Sequence, residues 1–177
     1  GLLLTSYIYY LAAGTKYFPF LLFSTIITYL CGLAIEHEVN QDKKKAKRYL
    51  IIGLILNFGM LGVIKYTNFI LENINLAFHL ELPGMQILLP LGISFYTFQT
   101  SGYLLDIYWK RDHAEKNIFR YALFVSYFPQ ILQGPIGRHS RLAEQLYEGH
   151  SFDLQRICRG IQRILWGFFK KMILADW

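Results

Sequence analysis

The feature that most constrains this chain is a run of 19 residues without a single charge, 17–35, followed after a short basic stretch by a second apolar run, 49–71, whose one charge is Lys65. At the helical rise the first run covers about 28 Å, close to the hydrocarbon thickness of a bilayer. In lipid every backbone polar group must be paired within the membrane, so such runs form helices rather than open sheets. The expected fold class is therefore all-α, a polytopic membrane helix bundle. Hydrophobic residues make up 54% and charged residues only 17%, too apolar for an ordinary soluble domain. The net charge of +6 raises nucleic acid as a partner, but the cations sit in short stretches beside apolar runs and no nucleic-acid motif is present. Membrane topology accounts for them, and no nucleic acid is expected.

Charge asymmetry orients the spans. Residues 36–48 read as a polar loop crowded with Lys43, Lys44, Lys45, Lys47 and Arg48. Residues 72–84 carry Glu72 and Glu81 without Lys or Arg, residues 85–108 read as a third complete span, and Lys110, Arg111, Lys116 and Arg120 form a second basic loop. Basic loops face the cytoplasm, so 36–48 and 110–120 are expected inside and 72–84 outside. Lys65, about two turns from the far end of its run, is expected to snorkel to the interface. The chain opens at Gly1 inside an apolar run, 1–14, read as the tail of a membrane helix, and stops at Trp177 after another. It reads as a fragment of a larger bundle, with no visible signal peptide.

Two later segments break the pattern. Residues 121–136 are apolar, but Pro129 and Gly134-Pro135 cannot continue a regular helix, so a re-entrant segment is expected, with 129–138 as a candidate tunnel wall. From Ser151, an expected N-cap, an amphipathic helix places Leu154, Ile157, Ile161, Ile164, Leu165, Phe168 and Met172 on one side. Arg156, Arg159, Arg163 and Lys170 fall in a stripe roughly 60° wide on the other, as in a helix lying in the headgroup layer.

Polar residues inside a span need partners or a function. Within 85–108, Gln99 and Asp106 are seven apart and share a face, while Ser94, Thr97 and Ser101 share another. The Thr97/Ser101 pair fits close helix packing of the small-xxx-small kind. Gln99 either bonds a neighbouring helix or lines a substrate path, and Asp106 is placed to pair with Lys110 four residues on. Of the five histidines, His37, His79, His113 and His150 read as solvated loop residues. His139 is the least ordinary, because a re-entrant loop could shelter it as a general base needs. Arg138 and Arg141 suit phosphate groups, either lipid headgroups or the phosphate end of a cytoplasmic acyl donor. Cys31 and Cys158 match no metal spacing, and neither a phosphate-binding Gly-Lys-Ser/Thr loop nor a Gly-x-Ser-x-Gly elbow occurs. No metal site is expected.

The run Pro90-Leu-Gly-Ile-Ser-Phe-Tyr-Thr-Phe-Gln99, then Tyr103-Leu-Leu-Asp106, Phe128-Pro-Gln130, Gly134-Pro-Ile-Gly-Arg138 and Phe169-Lys-Lys-Met-Ile-Leu-Ala-Asp176 resemble the membrane-bound O-acyltransferase family, in its bacterial alginate O-acetylation branch. The resemblance covers most of the chain, and five motifs in this order are more specific than any one alone. It implies a multi-helix bundle around a tunnel, with 1–177 as part of one such domain. It also implies transfer of an acyl group from a cytoplasmic donor, with acetyl-CoA as the expected one, to a hydroxyl. In polysaccharide-modifying relatives the acetyl group crosses the bilayer, usually to an extracytoplasmic partner acetyltransferase. The family's catalytic histidine lies beyond the last motif, so no residue here takes that role and the isolated fragment is expected to be inactive. By position in matching motifs, Gln99, Gln130 and Arg138 become tunnel or donor contacts.

The resulting expectation is a multi-pass protein of the cytoplasmic (inner) membrane, in contact with membrane lipid and polysaccharide machinery, that O-acetylates an exported polysaccharide. Two rivals stand beside it. A transporter or flippase would use paired broken segments in an inverted repeat, which the sequence does not display. A non-catalytic scaffold would tolerate separate substitution of Gln99, Gln130 and Arg138.

Overall fold

A computed structural model describes residues 1–78, 90–131, 137–149 and 152–175. His79, Glu81, 85–89, Gly134, Pro135, His150, Ser151 and Asp176, all invoked above, lie outside the described residues. The chain divides into two compact units, Gly1–Tyr147 and Glu148–Trp177. The described residues contain helices and no strand.

In the first unit, α1 (Leu2–Ala13) leads through a short 3-10 turn into α2 (Phe18–Glu38), which starts with Pro19 in its first turn, where the missing N–H leaves no bond unmade. The next helix, α3 (Lys43–Phe78), has 36 residues and is about 54 Å long at the helical rise. By length and hydropathy, Thr15–Glu38 and Lys43–Ala77 are able to cross a membrane, and no third helix among the described residues is. Both turn large apolar side chains outward, among them Leu30, Ile55, Val63 and Phe69, as lipid-facing helices do.

The expected polar loop at 36–48 is mostly helical. α2 runs on to Glu38, a turn covers 39–42, and the lysine cluster forms the first turn of α3. Cations at a helix N-terminus oppose its dipole. Asp42 offsets this, its Oδ1 accepting from Lys44 N at 2.8 Å and Lys45 N at 3.2 Å. At the other end, the expected loop from Glu72 is helical up to Phe78.

The third expected span, 85–108, is not one continuous helix through its described part. Helix α4 (Ile93–Tyr108) has 16 residues, about 24 Å, and begins only after Gly92. Gly92 takes a left-handed φ of 70°, and a Cβ there would lie 2.2 Å from the Ile131 carbonyl oxygen. Only glycine serves both needs. α5 (Ile118–Ser126) is capped by Asn117, whose Oδ1 accepts from Phe119 N and Arg120 N. Pro129 cannot donate to a carbonyl one turn back, so α5 stops, Tyr127 leaves helical geometry at ψ 107°, and a single turn, α6 (Phe128–Ile131), restarts with Pro129 near its beginning. The expected break in 121–136 is present in its described part. α7 (His139–Tyr147) follows.

The core is unusually rich in tyrosine: Tyr10, Tyr96, Tyr103 and Tyr121 are almost wholly buried beside Leu21, Ile35, Leu104 and Phe124. A polar knot ties α2, α3 and α4. Asn57, 1% exposed, donates through Nδ2 to Thr97 O (3.1 Å), Thr100 Oγ1 (2.8 Å) and Ser101 Oγ (3.3 Å), and its Oδ1 accepts from Ser24 Oγ at 2.7 Å. The hydroxyl face of α4 is therefore a packing face, with an asparagine as its hub.

In the second unit, α8 (Leu154–Phe169) is capped by Asp153, whose Oδ1 accepts from Gln155 N (2.9 Å) and Arg156 N (3.2 Å). The cap expected at Ser151 falls to this carboxylate, because an acceptor immediately before the first turn reaches its free N–H groups. A π-helical stretch, Lys170–Ala175, continues it. Leu154, Ile157, Ile161, Ile164, Leu165, Phe168 and Met172 are all exposed within this unit, so the apolar side of the helix has no partner there.

Candidate functional site

The two basic stretches meet at one end of the first unit. Lys110 Nζ donates to Asn40 Oδ1 at 2.6 Å, His113 Nδ1 lies 3.0 Å from Glu36 Oε1, and Tyr29 Oη donates to Lys116 O at 2.6 Å. This joins the α2–α3 turn to the α4–α5 loop. The i,i+4 pair expected between Asp106 and Lys110 does not form. α4 ends at Tyr108, and Lys110 adopts a left-handed φ of 57°, so helical spacing no longer applies and the ammonium turns to Asn40.

Asp106 instead lines a cavity of about 220 Å³ at this end, together with Gln99, Trp109, Arg111, Gly137 and Arg138. Gln99 and Asp106 thus share a face as their spacing predicts. The structure brings Gln99 and Arg138 to one wall although 39 positions separate them in the chain. Gln99 is 5% exposed and its Nε2 donates to Phe124 O at 3.1 Å. The reading in which Gln99 bonds a neighbouring helix holds, since its amide fastens α4 to α5, and the residue also borders the cavity. Arg111 places its guanidinium 4.9 Å from the centre of the Trp109 ring, an arrangement that keeps the cation at the rim.

Gln130 does not line this cavity. Its amide packs against Gly137, where a Cβ would meet Nε2 at 2.5 Å, so the glycine lets the broken segment and the start of α7 approach. A second cavity of about 370 Å³ adjoins the first and shares Gly137 and Arg138 with it, adding Arg141, Leu142 and Gln145. Two further and larger concavities are of another kind. They are apolar grooves of about 630 and 740 Å³ on the outside of the helices, lined by residues such as Phe20, Ile55 and Val63 or Leu4, Leu22 and Ile118. Lipid chains fit them better than chemistry does.

His139, the histidine set apart in the sequence, is sheltered. It is 7% exposed, wedged against the rings of Tyr103 and Phe124 with centroids 4.9 Å away in each case, and its Nδ1 lies 2.9 Å from Asp112 Oδ2. Burial alone would raise the Asp112 carboxyl, but the bond and charge of His139 and the His113 backbone N–H outweigh it, and the net shift is downward. An ionised carboxylate only accepts, which puts the proton on Nδ1. His139 Nε2 is buried with no partner among the described residues. His113, by contrast, is solvated as expected, with its side chain 96% exposed. Asp112 and Asn57 are the two residues of consequence that pattern reading missed. A lone Asp in a basic loop and a lone Asn in a long apolar run carry no periodic signal, although the Asn in mid-run was a cue of the same kind as Gln99. No group of three or more potential metal ligands occurs among the described residues.

Long outward-apolar helices, a polar knot between them and a cation-rimmed cavity at one end define a helical membrane protein. Three comparisons narrow this. The chain is 33% identical over 181 residues to a "probable alginate O-acetylase" of Pseudomonas syringae pv. tomato and 33% identical over 201 residues to a peptidoglycan O-acetyltransferase of Helicobacter pylori, with 99% of the chain aligned in both. A teichoic acid D-alanyltransferase of Lacticaseibacillus rhamnosus matches at 23% over 92% of the chain. The aligned part is 34%, 38% and 37% of those relatives, so the chain spans about a third of their length. No family model and no solved structure matches. Over that third the chain is similar to membrane-bound O-acyltransferases.

Proposed function

We propose that this chain is the donor-side part of a membrane O-acetyltransferase that takes acetyl from a cytoplasmic thioester, acetyl-CoA, and passes it across the inner membrane for O-acetylation of an exported polysaccharide. The protein is multi-pass, and an extracytoplasmic partner acetyltransferase and polysaccharide machinery complete delivery. The observation that carries the reading is the 220 Å³ cavity at the basic end, lined by the buried amide Gln99 and by Arg138. Basic residues favour the cytoplasmic face, where a thioester donor resides.

In the reaction a substrate or partner hydroxyl attacks the thioester carbonyl. Its proton passes to a base, the carbon–sulfur bond breaks, and the thiol leaves with a proton. The base is a histidine outside these 177 residues. This segment contributes binding: Arg138 and Arg111 attract the anionic donor, Gln99 offers an amide to its stem, and Gln130 braces Gly137 at the cavity edge.

The test is polymer acetylation in cells carrying Gln99→Leu or Arg138→Gln, at matched protein level. Loss of at least tenfold in acetyl content is expected for each. Full acetylation with both variants would leave the segment a scaffold.

A further inference from the structure

The two polar cavities meet at Gly137 and Arg138, and they differ in character. The outer one, about 370 Å³, is lined by Arg138, Arg141 and Gln145, with no carboxylate among its described lining residues. Its volume is within the range of ligand sites, roughly 300 to 1,000 Å³. The inner one, about 220 Å³, is lined by Gln99 and carries one carboxylate, Asp106, among its described lining residues. A ligand that fills both has a multiply anionic head outside and an uncharged, hydrogen-bonding stem inside.

Arg138 precedes the first turn of α7, and its carbonyl accepts from Arg141 N at 3.2 Å and Leu142 N at 3.0 Å. The next residue fixes this helix start to the rest of the unit. His139 is gripped by two rings and by Asp112 at 2.9 Å, so the backbone that carries Arg138 is pinned to the α4–α5 loop. Ala143, 4% exposed, seats the following turn, which leaves Arg141 on the open side. A solvated loop histidine would give Arg138 no such anchor, and a long cation without one loses more rotamer freedom on binding.

We propose that Arg138 and Arg141 form a phosphate-binding subsite and that His139, clamped by Asp112, is its positioning residue. The identity of the ligand as an acyl donor rests on the function proposed above, whereas the phosphate chemistry does not. Phosphate can come from a soluble nucleotide-linked donor or from a lipid headgroup, and the experiment separates the two.

The intact protein is placed in neutral phosphatidylcholine nanodiscs and titrated with coenzyme A, with pantetheine, which has the stem but no phosphate, and with inorganic diphosphate. Arg138→Gln and Arg141→Gln each weaken coenzyme A and diphosphate binding at least tenfold and leave pantetheine unchanged. His139→Phe keeps an aromatic ring but loses the Asp112 bond, and Asp112→Asn loses the charge. Both reproduce the arginine phenotype, while His139→Asn, whose amide still reaches a carboxylate, restores most of the affinity. A histidine needed only for folding would lower the yield of folded protein without moving Kd.

In discs containing phosphatidylglycerol, a lipid-serving site reveals itself by weaker coenzyme A binding in the parent and no such effect in Arg138→Gln; a donor-serving site is indifferent to the lipid. Either supports a phosphate subsite. Native diphosphate and coenzyme A affinity in Arg138→Gln and Arg141→Gln, or in His139→Phe, overturns the proposal. Phosphate binding as described without any acetyl transfer overturns the proposed function alone, and transfer at unchanged KM in His139→Phe overturns this inference alone.

Discussion

Replacing Gly92 by alanine perturbs the contact on which the broken segment rests. Two costs add. An L-residue at φ 70° is left-handed, which costs about 1 to 2 kcal/mol. The new methyl would also sit 2.2 Å from the Ile131 carbonyl oxygen, roughly 1 Å inside the usual C···O approach of about 3.3 Å. The nearest atom is backbone, so α6 must shift rather than a side chain rotate, and about 1 to 3 kcal/mol more is expected, as for other overpacked sites. The sum is about 2 to 5 kcal/mol. Gly59→Ala is the control: a Cβ there meets nothing within 4 Å, and helix propensity favours the change by about 1 kcal/mol. Reversible unfolding in mixed micelles, followed by circular dichroism, measures both. The displacement also reaches the site, because Ile131 adjoins Gln130, which braces Gly137. Coenzyme A binding should therefore weaken in Gly92→Ala beyond what lost stability explains. Equal unfolding midpoints for Gly92→Ala and the parent would refute the close approach of α4 and α6.

Further outcomes follow from other contacts. Asn57→Ala removes the hub of the knot and leaves Ser24 Oγ without its acceptor; at about 0.6 kcal/mol per interhelical bond in a membrane, the loss is about 2 kcal/mol, measured by the same unfolding assay. The Asp112 carboxyl titrates below its unfolded value, so its contribution to stability is complete above pH of about 4 and fades as pH falls through the folded value; an acid-unfolding curve of Asp112→Asn lacks that increment. In a background with Cys31 and Cys158 replaced by serine, cysteines at Lys45 and His113 share one side of the membrane and one at Asn75 lies on the other. An impermeant thiol reagent added to intact cells labels only the Asn75 position, and labelling of all three removes the assigned topology. Asp153→Ala frays the start of α8 and costs about 1 kcal/mol of helix stability, read as reduced helicity of that segment on vesicles.

Sequence by itself determined what a bilayer imposes. Apolar runs at 17–35 and 49–71 dictate helices because nothing else pairs a backbone in hydrocarbon, and Pro129 dictates a break because it removes a donor. Period also placed Gln99 and Asp106 on one face and set the two sides of α8. Tertiary structure alone decided the rest. Polar groups choose partners by distance in space, and helix ends depend on local φ as much as on composition. Hence Lys110 turned to Asn40 rather than Asp106, the lysine cluster became a helix start under Asp42, and α4 began after the turn at Gly92. His139 is the sharpest case: the sequence marks it only as a histidine that a re-entrant loop could shelter, whereas Tyr103, Phe124 and Asp112, contributed by two helices and a loop, bury it beside Arg138. No pattern within the chain encodes that meeting, because its members stand 15 to 36 positions from His139 and are joined by packing alone.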